Sequence, residues 1–211
     1  MNKKITIIDY GLGNLLSVKR AFEYLNFEVS ITGSPIQIEK AERLIIPGVG
    51  AFPRGMEELK KRDLIDPINE FNSTERPIIA ICLGMQLLMS YGEEHKETNG
   101  LNLIDGKVLK FPNSIETYKD LKVPNIGWGE LDFNPKHFEY KKFEQFNEKQ
   151  MYFVHSYYVE PTNELNTLAI SKNENFEFCS IISFKNILGC QFHPEKSGKT
   201  GLNLINNFML G

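Results

Sequence analysis

The stretch Ile78-Ile79-Ala80-Ile81-Cys82-Leu83-Gly84-Met85-Gln86 constrains the fold more than any other in this 211-residue chain. An apolar run of strand length stops at a cysteine. A glycine follows two residues later, and a helix-compatible pattern begins with Met85, Leu87, Leu88 and Met89. The pattern predicts a buried strand, a tight turn and a helix. A sharp strand-to-helix turn lifts the side chain at its apex out of the packed sheet. It also aims the first backbone N–H groups of the new helix at that side chain. Two readings of Cys82 follow. It is either an inert packed thiol, the commonest state of a free cysteine, or a nucleophile whose thiolate the positive helix end favours. The second reading requires a base, an orienting acid and an oxyanion site elsewhere in the chain.

The segments around this stretch repeat its strand–helix logic. Lys4–Ile8 predicts a strand ending at Asp9. The turn Tyr10-Gly11-Leu12-Gly13-Asn14, an amphipathic helix over Leu15–Leu25 and a second strand over Phe27–Ile31 follow. The third glycine of a dinucleotide fingerprint would fall at Leu16, so that fingerprint fails and Gly11 and Gly13 read as turn glycines. Arg43–Ile46 is a third strand, followed at once by Pro47-Gly48-Val49-Gly50. This glycine pair leaves backbone amides uncrowded, as an oxyanion hole needs, and it fits an ordinary strand-to-helix loop equally well. Phe52–Lys61 and Leu64–Phe71 read as helices, Pro77 opens the Cys82 strand, and Leu83–Met89 is the helix behind it.

Alternating strands and helices place the chain in the α/β class, with a central, mostly parallel sheet flanked by helices and joined by right-handed crossovers. After Gly100 the texture changes to short β-like runs at Lys107–Lys110, Leu121–Val123, Gly129–Phe133, Met151–Val154, Leu168–Ile170, Cys179–Phe184 and Ile187–Gln191. They predict a smaller antiparallel sheet joined to the parallel core. His137–Glu148 is strongly charged and reads as a surface helix or loop. The length suits one core, and no repeat or linker divides it, so residues 1–211 are expected to form a single domain.

Composition removes several function classes. A net charge of −3 without a basic run gives no footing for nucleic acid. No apolar stretch is long enough to span a bilayer, and the run after Lys4 is too short for a signal peptide. Three widely spaced cysteines, Cys82, Cys179 and Cys190, suit a reduced, cytoplasmic setting and neither a disulfide framework nor a zinc site. No metal or cofactor is expected.

The second informative stretch is Gly189-Cys190-Gln191-Phe192-His193-Pro194-Glu195. The proline biases His193 to an extended conformation, in which residues two apart project to the same side. Glu195 can then reach the region of His193, with Pro194 stiffening the link. A histidine takes a thiol proton through one ring nitrogen while a carboxylate on the other nitrogen fixes its tautomer.

With these residues in view, the chain resembles the class I, triad-type glutamine amidotransferases. The resemblance is carried by Pro47-Gly48-Val49-Gly50, Ile81-Cys82-Leu83-Gly84-Met85-Gln86 and Gln191-Phe192-His193-Pro194-Glu195. Within that family it is most similar to the glutaminase subunits of imidazole glycerol phosphate synthases. The further matches are Ile8-Asp9-Tyr10-Gly11-Leu12-Gly13-Asn14, Gly48-Val49-Gly50-Ala51-Phe52, Val123-Pro124-Asn125-Ile126-Gly127-Trp128, Tyr152-Phe153-Val154-His155-Ser156-Tyr157 and Glu195-Lys196-Ser197-Gly198.

The resemblance implies that Cys82 attacks the side-chain amide of glutamine, that His193 is the base and that Glu195 orients it. It implies an oxyanion site at the amides of Val49, Gly50 and Leu83, and a glutamine pocket lined by Gln86, His155, Ser156 and Tyr157. Asn14, Trp128 and Lys196 match positions near a partner subunit. That partner is a (β/α)8-barrel cyclase forming a heterodimer with the glutaminase, which uses its ammonia to make imidazole glycerol phosphate in histidine biosynthesis. Paralogous glutaminases that supply ammonia to aminate or amidinate a surface-polysaccharide sugar are the alternative. Three residues depart from the usual pattern. Ala80 stands where glycine is usual two residues before the nucleophile, and Asn125 and Gly129 replace a histidine and an asparagine around the Gly127-Trp128 pair.

Overall fold

The computed structural model describes residues 3–112 and 121–210. Five parallel strands form its centre: β1 (Lys4–Ile8), β2 (Glu28–Thr32), β3 (Leu44–Ile46), β4 (Ile78–Ile81) and β14 (Ile187–Cys190), in the order β2-β1-β3-β4-β14. Every residue of β4 is buried, and alternate side chains enter two different cores. Ile79 and Ile81 pack with Val18 and Phe22 of helix α1 (Leu15–Tyr24) and with Leu204, Ile205 and Phe208 of α7 (Gly198–Leu210). Ile78 and Ala80 pack with Phe52, Met56 and Leu59 of α3 (Phe52–Lys61) and with Ile68 and Phe71 of α4 (Ile65–Ser73). A strand covered by helices on both faces has no polar face, which is why its sequence does not alternate.

The antiparallel part continues the same sheet. β13 (Phe176–Phe184) pairs with β14, and β11 (Tyr157–Pro161), β7 (Gly106–Lys110), β5 (Tyr91–Gly92) and β6 (Thr98–Asn99) follow in that order. β12 (Thr167–Asn173) lies on β13, and β9 (Asp132–Phe133) lies on β12. A separate two-stranded ribbon joins β8 (Asn125–Glu130) to β10 (Gln150–His155).

Several expectations shift. Leu121–Val123 lies outside any strand, and the run expected over Gly129–Phe133 is divided between β8 and β9. The charged segment His137–Glu148 holds α6 (Tyr140–Phe143) and a short 3-10 turn, yet His137, Phe143 and Phe146 are buried, so the segment is anchored on one side. Helix α2 (Pro35–Glu39), strands β5, β6 and β11, and helix α7 are additions.

The chain crosses to opposite sides of β1 on leaving it and on returning at β3. Ligands of open α/β sheets bind beyond the carboxyl ends of strands at such a reversal of order. Pro47, Cys82 and Gln191 each follow directly from such an end, on the neighbouring strands β3, β4 and β14.

Candidate active site

Cys82 is the apex of the turn between β4 and α5 (Leu83–Leu87) and has φ 53° and ψ −110°, in the left-handed half of the map. A non-glycine residue held there costs on the order of 1–3 kcal/mol, and such strain concentrates at functional sites. Two hydrogen bonds hold the apex: Cys82 N–H donates to Cys190 O at 2.7 Å, and Gln86 N–H donates to Cys82 O at 3.2 Å. Gly84 lets the helix close against the sheet, because a Cβ there would collide with Ile46 O. Ala80 sits in register between Ile46 and Gly189, fully buried, and the turn forms with its methyl group in place.

The loop after β3 is tied down by Tyr10, whose buried hydroxyl donates to Pro47 O at 2.6 Å. Gly48 fills the remaining space, since a Cβ would collide with Tyr10 Oη and lie 2.9 Å from Gly84 N. This contact brings Val49 and Gly50 to the same cavity as Leu83.

His193 follows β14 in an extended conformation, with φ −100° and ψ 94°, as its place before proline predicts. Its Nδ1 donates to Glu195 Oε1 at 2.8 Å, and the two side chains are only 3% and 2% exposed. The geometric reason differs from the one expected. Pro194–Lys196 is a 3-10 turn, so Glu195 folds back to the ring and does not project alongside it from an extended strand. Ser197 locks the turn, its hydroxyl donating to His193 O at 2.7 Å and accepting from Tyr152 N–H at 2.9 Å. The buried Nε2 of His193 has no hydrogen-bond partner among the described residues. Burial opposes charge on this ring, but the Cys82 and Glu195 side chains outweigh it and raise its pKa to about 9.

Cys82 and His193 border one cavity of about 450 Å³. Val49, Gly50, Leu83, Gln86, His155, Ser156, Tyr157 and Lys196 border it too, so the expected oxyanion and pocket residues come together. Asn14 and Trp128 do not. Asn14 caps α1 by accepting from Ser17 N–H at 3.3 Å, and Trp128 stands on the ribbon, 57% exposed. A larger hollow of about 760 Å³ over the antiparallel strands contains none of the expected site residues.

Two amide networks shape the pocket wall. Gln86 Nε2 donates to Tyr157 O at 3.1 Å and to Gln191 Oε1 at 3.2 Å. His155 Nδ1 donates to Tyr157 O at 2.8 Å, so its Nε2 accepts from Asn125 Nδ2 at 3.0 Å. Burial lowers the His155 pKa to about 4, which keeps the ring neutral at pH 7.

Three residues of the site carry no assigned role in the sequence expectations, although Tyr10 and Gln191 stand within the stretches that carry the resemblance. Glu94 borders the cavity with a side chain 12% exposed and accepts from Phe52 N–H at 2.6 Å. It lies in the charged run Glu93-Glu94-His95-Lys96-Glu97, which reads as a solvated loop. Tyr10 and Gln191 are fully buried, and neither carries a local pattern that distinguishes it from packing.

The family model described as glutamine amidotransferase class-I matches residues 6–211. The imidazole glycerol phosphate synthase subunit HisH of Methanosarcina acetivorans is 46% identical over 209 residues, spanning 98% of this chain and 98% of that protein. The subunit of the same name from Geobacter sulfurreducens is 41% identical over 206 residues, spanning 97% of each chain. Among solved structures, that of PurLQS from Thermotoga maritima superposes with a TM-score of 0.74 at 17% identity, over 99% of this chain and 98% of the other. A crystal structure of a glutamine amidotransferase superposes with a TM-score of 0.73 at 14% identity, over 97% of each. At these identities the two superpositions show a shared fold.

Proposed function

Because the chain belongs to the class I glutamine amidotransferase family, among the imidazole glycerol phosphate synthase subunits HisH, we propose that it hydrolyses glutamine through Cys82, His193 and Glu195. The observation that carries this reading is the state of His193. Its Nδ1–H is committed to Glu195, its Nε2 has no other partner among the described residues, and the ring borders the same cavity as Cys82, whose side chain acts with Glu195 to raise its pKa. With its pKa raised to about 9 by Cys82 and Glu195, a ring so oriented holds the proton given up by Cys82 at neutral pH and keeps it ready for the departing nitrogen.

In the proposed sequence the Cys82 sulfur, its proton already held by His193 Nε2, attacks the side-chain carbonyl of glutamine. The amides of Val49, Gly50 and Leu83 donate to the oxyanion of the tetrahedral intermediate. His193 gives its proton to the departing nitrogen, the C–N bond breaks, ammonia leaves and the glutamyl group remains on Cys82 as a thioester. Water then gives a proton to Nε2, attacks the thioester carbonyl and releases glutamate and the thiol. Glu94, at the cavity wall, receives the α-ammonium of the substrate, to which its carboxylate is opposite in charge. A cavity of about 450 Å³ suits a single amino acid.

The ammonia has to be used by another subunit, because free ammonia is mostly protonated at neutral pH and lost to solvent. We assign that role to a (β/α)8-barrel synthase docked on the ribbon. Ile126 and Trp128 of β8 pair with Val154 and Tyr152 of β10 on one face of the ribbon, and Pro124, Val154 and Lys196 reach the cavity lip. Asn125 and Gly129 point the other way. Asn125 bonds His155, and a Cβ at Gly129 would lie 3.0 Å from Phe153. Both departures thus lie away from the proposed docking face, and rescue of a histidine auxotroph separates the two pathways.

The direct test is Cys82→Ala. With the synthase subunit present, the variant is expected to lose glutamine-dependent synthesis and keep synthesis from added ammonia. Undiminished use of glutamine would refute the nucleophile assignment.

A further inference from the structure

Gln191 follows β14 and is 0% exposed. A buried side-chain amide needs hydrogen-bond partners, and both partners of this one belong to the proposed site. Its Oε1 lies 3.2 Å from Gln86 Nε2, and its Nε2 lies 3.8 Å from Cys82 Sγ. The orientation follows from chemistry. Tyr157 O accepts only, so the end of Gln86 that lies 3.1 Å from it is the amino group. The Gln191 atom facing that amino group is then the oxygen, and its own amino group is turned to the sulfur.

We propose that Gln191 is a positioning residue for the glutaminase reaction, its side-chain N–H donating to the Cys82 sulfur and favouring the thiolate, with Gln86 fixing the direction of that donor. A thiolate is a better acceptor than a thiol, so a fixed donor stabilises the charged form selectively. Gln86 also borders the substrate cavity, which links the pocket wall to the sulfur through two amides.

Other groups face Cys82 from the surrounding elements. His193 and Lys196 come from the segment after β14, His155 from the end of β10 and Glu94 from between β5 and β6. Tyr10 follows β1, and its phenol is held protonated by burial and by Cys82. The Gln191 amide carries no charge, so it contributes at every pH without titrating.

The inference rests on Cys82 being the nucleophile, and the experiment separates the two. Gln191→Met removes the donor and the acceptor, whereas Gln191→Glu keeps an oxygen for Gln86 and removes the amino group. Iodoacetamide alkylation at Cys82, followed against pH by mass spectrometry, is expected to move its midpoint up by about one unit in both variants, roughly a tenfold loss of thiolate below the midpoint. The kcat for glutamine is expected to fall more than KM rises. In the unaltered protein, the Gln191 side-chain ¹⁵N–H resonances should titrate with the Cys82 midpoint, a readout that does not depend on either variant folding. Unchanged midpoints in the variants, or Gln191 resonances that stay flat through the titration, overturn the inference. Glutamine turnover that survives Cys82→Ala overturns the nucleophile assignment and the inference with it.

Discussion

Two histidines border the same cavity and are driven in opposite directions. For His193, burial is outweighed by Cys82 and Glu195, and the pKa rises from 6.5 to about 9. The native protein then holds a proton that the unfolded chain releases, so this contribution to stability is complete below pH 6.5 and is lost as pH rises through about 9. For His155, burial dominates and the pKa falls from 6.5 to about 4. Here the unfolded chain binds the extra proton, so stability is complete above pH 6.5 and is lost as pH falls through about 4. Urea midpoints are expected to decline on both sides of that pH. Glu195→Gln should flatten the alkaline limb and lower the His193 ring midpoint read by NMR, while His155→Gln should flatten the acid limb. Glu195→Gln should also cut glutaminase kcat by about 10²–10⁴-fold, as loss of base orientation does in steady-state assays. An NMR midpoint unmoved by Glu195→Gln would show that the carboxylate does not hold the proton on the ring. The residues with local signals are legible in the sequence: Cys82 at a strand end before glycine, and His193 before proline. Glu94, Tyr10 and Gln191 are not, because their contacts span long separations, as from Tyr10 to Pro47 or from Gln191 to Cys82.

Helix α5 has five residues and too few internal hydrogen bonds to hold itself, so its position comes from packing. Gly84 is where that packing is tightest. In Gly84→Ala the new methyl would meet the backbone oxygen of Ile46, which has no flexible end to move aside. The expected cost is about 1–3 kcal/mol of stability, read by urea denaturation, with a fall in kcat as Leu83 and Cys82 shift. A Gly84→Ala protein of unchanged stability would mean that α5 is free to slide. Ala80→Gly places a glycine two residues before Cys82, yet the turn already forms with alanine; the change should cost about 0.5–1 kcal/mol without raising turnover. The strands of the parallel core are legible because burial on both faces writes an unbroken apolar run. Helix α7 is missing from the sequence expectations even though Leu204, Ile205, Phe208 and Met209 recur at helical spacing and are buried. The β5–β6 hairpin is two residues per strand, too short for periodicity to register.

At the scale of the whole molecule, the cavity opens beside a ribbon whose outer face is apolar. Ile126 is 60% exposed and Trp128 57% exposed, side by side on one face of β8, with the Tyr152 ring 6.0 Å from that of Trp128. Large apolar side chains exposed together mark an interaction surface, and tryptophan is among the residues that carry most binding energy in such surfaces. Trp128 is also the single tryptophan of the chain, so its fluorescence reports on this face alone. If the synthase subunit docks here, the Trp128 emission of this chain should shift to the blue on titration, read as a difference spectrum against the partner alone. Trp128→Ala should weaken the complex by about 2 kcal/mol or more while the far-ultraviolet circular dichroism stays unchanged. Synthesis from glutamine should fall in that variant, and synthesis from added ammonia should fall less, because only the former needs the cavity lip sealed against solvent. An emission maximum that does not move, together with unaltered affinity in Trp128→Ala, would place the partner on a different face and leave the ribbon as a wall of the glutamine pocket only.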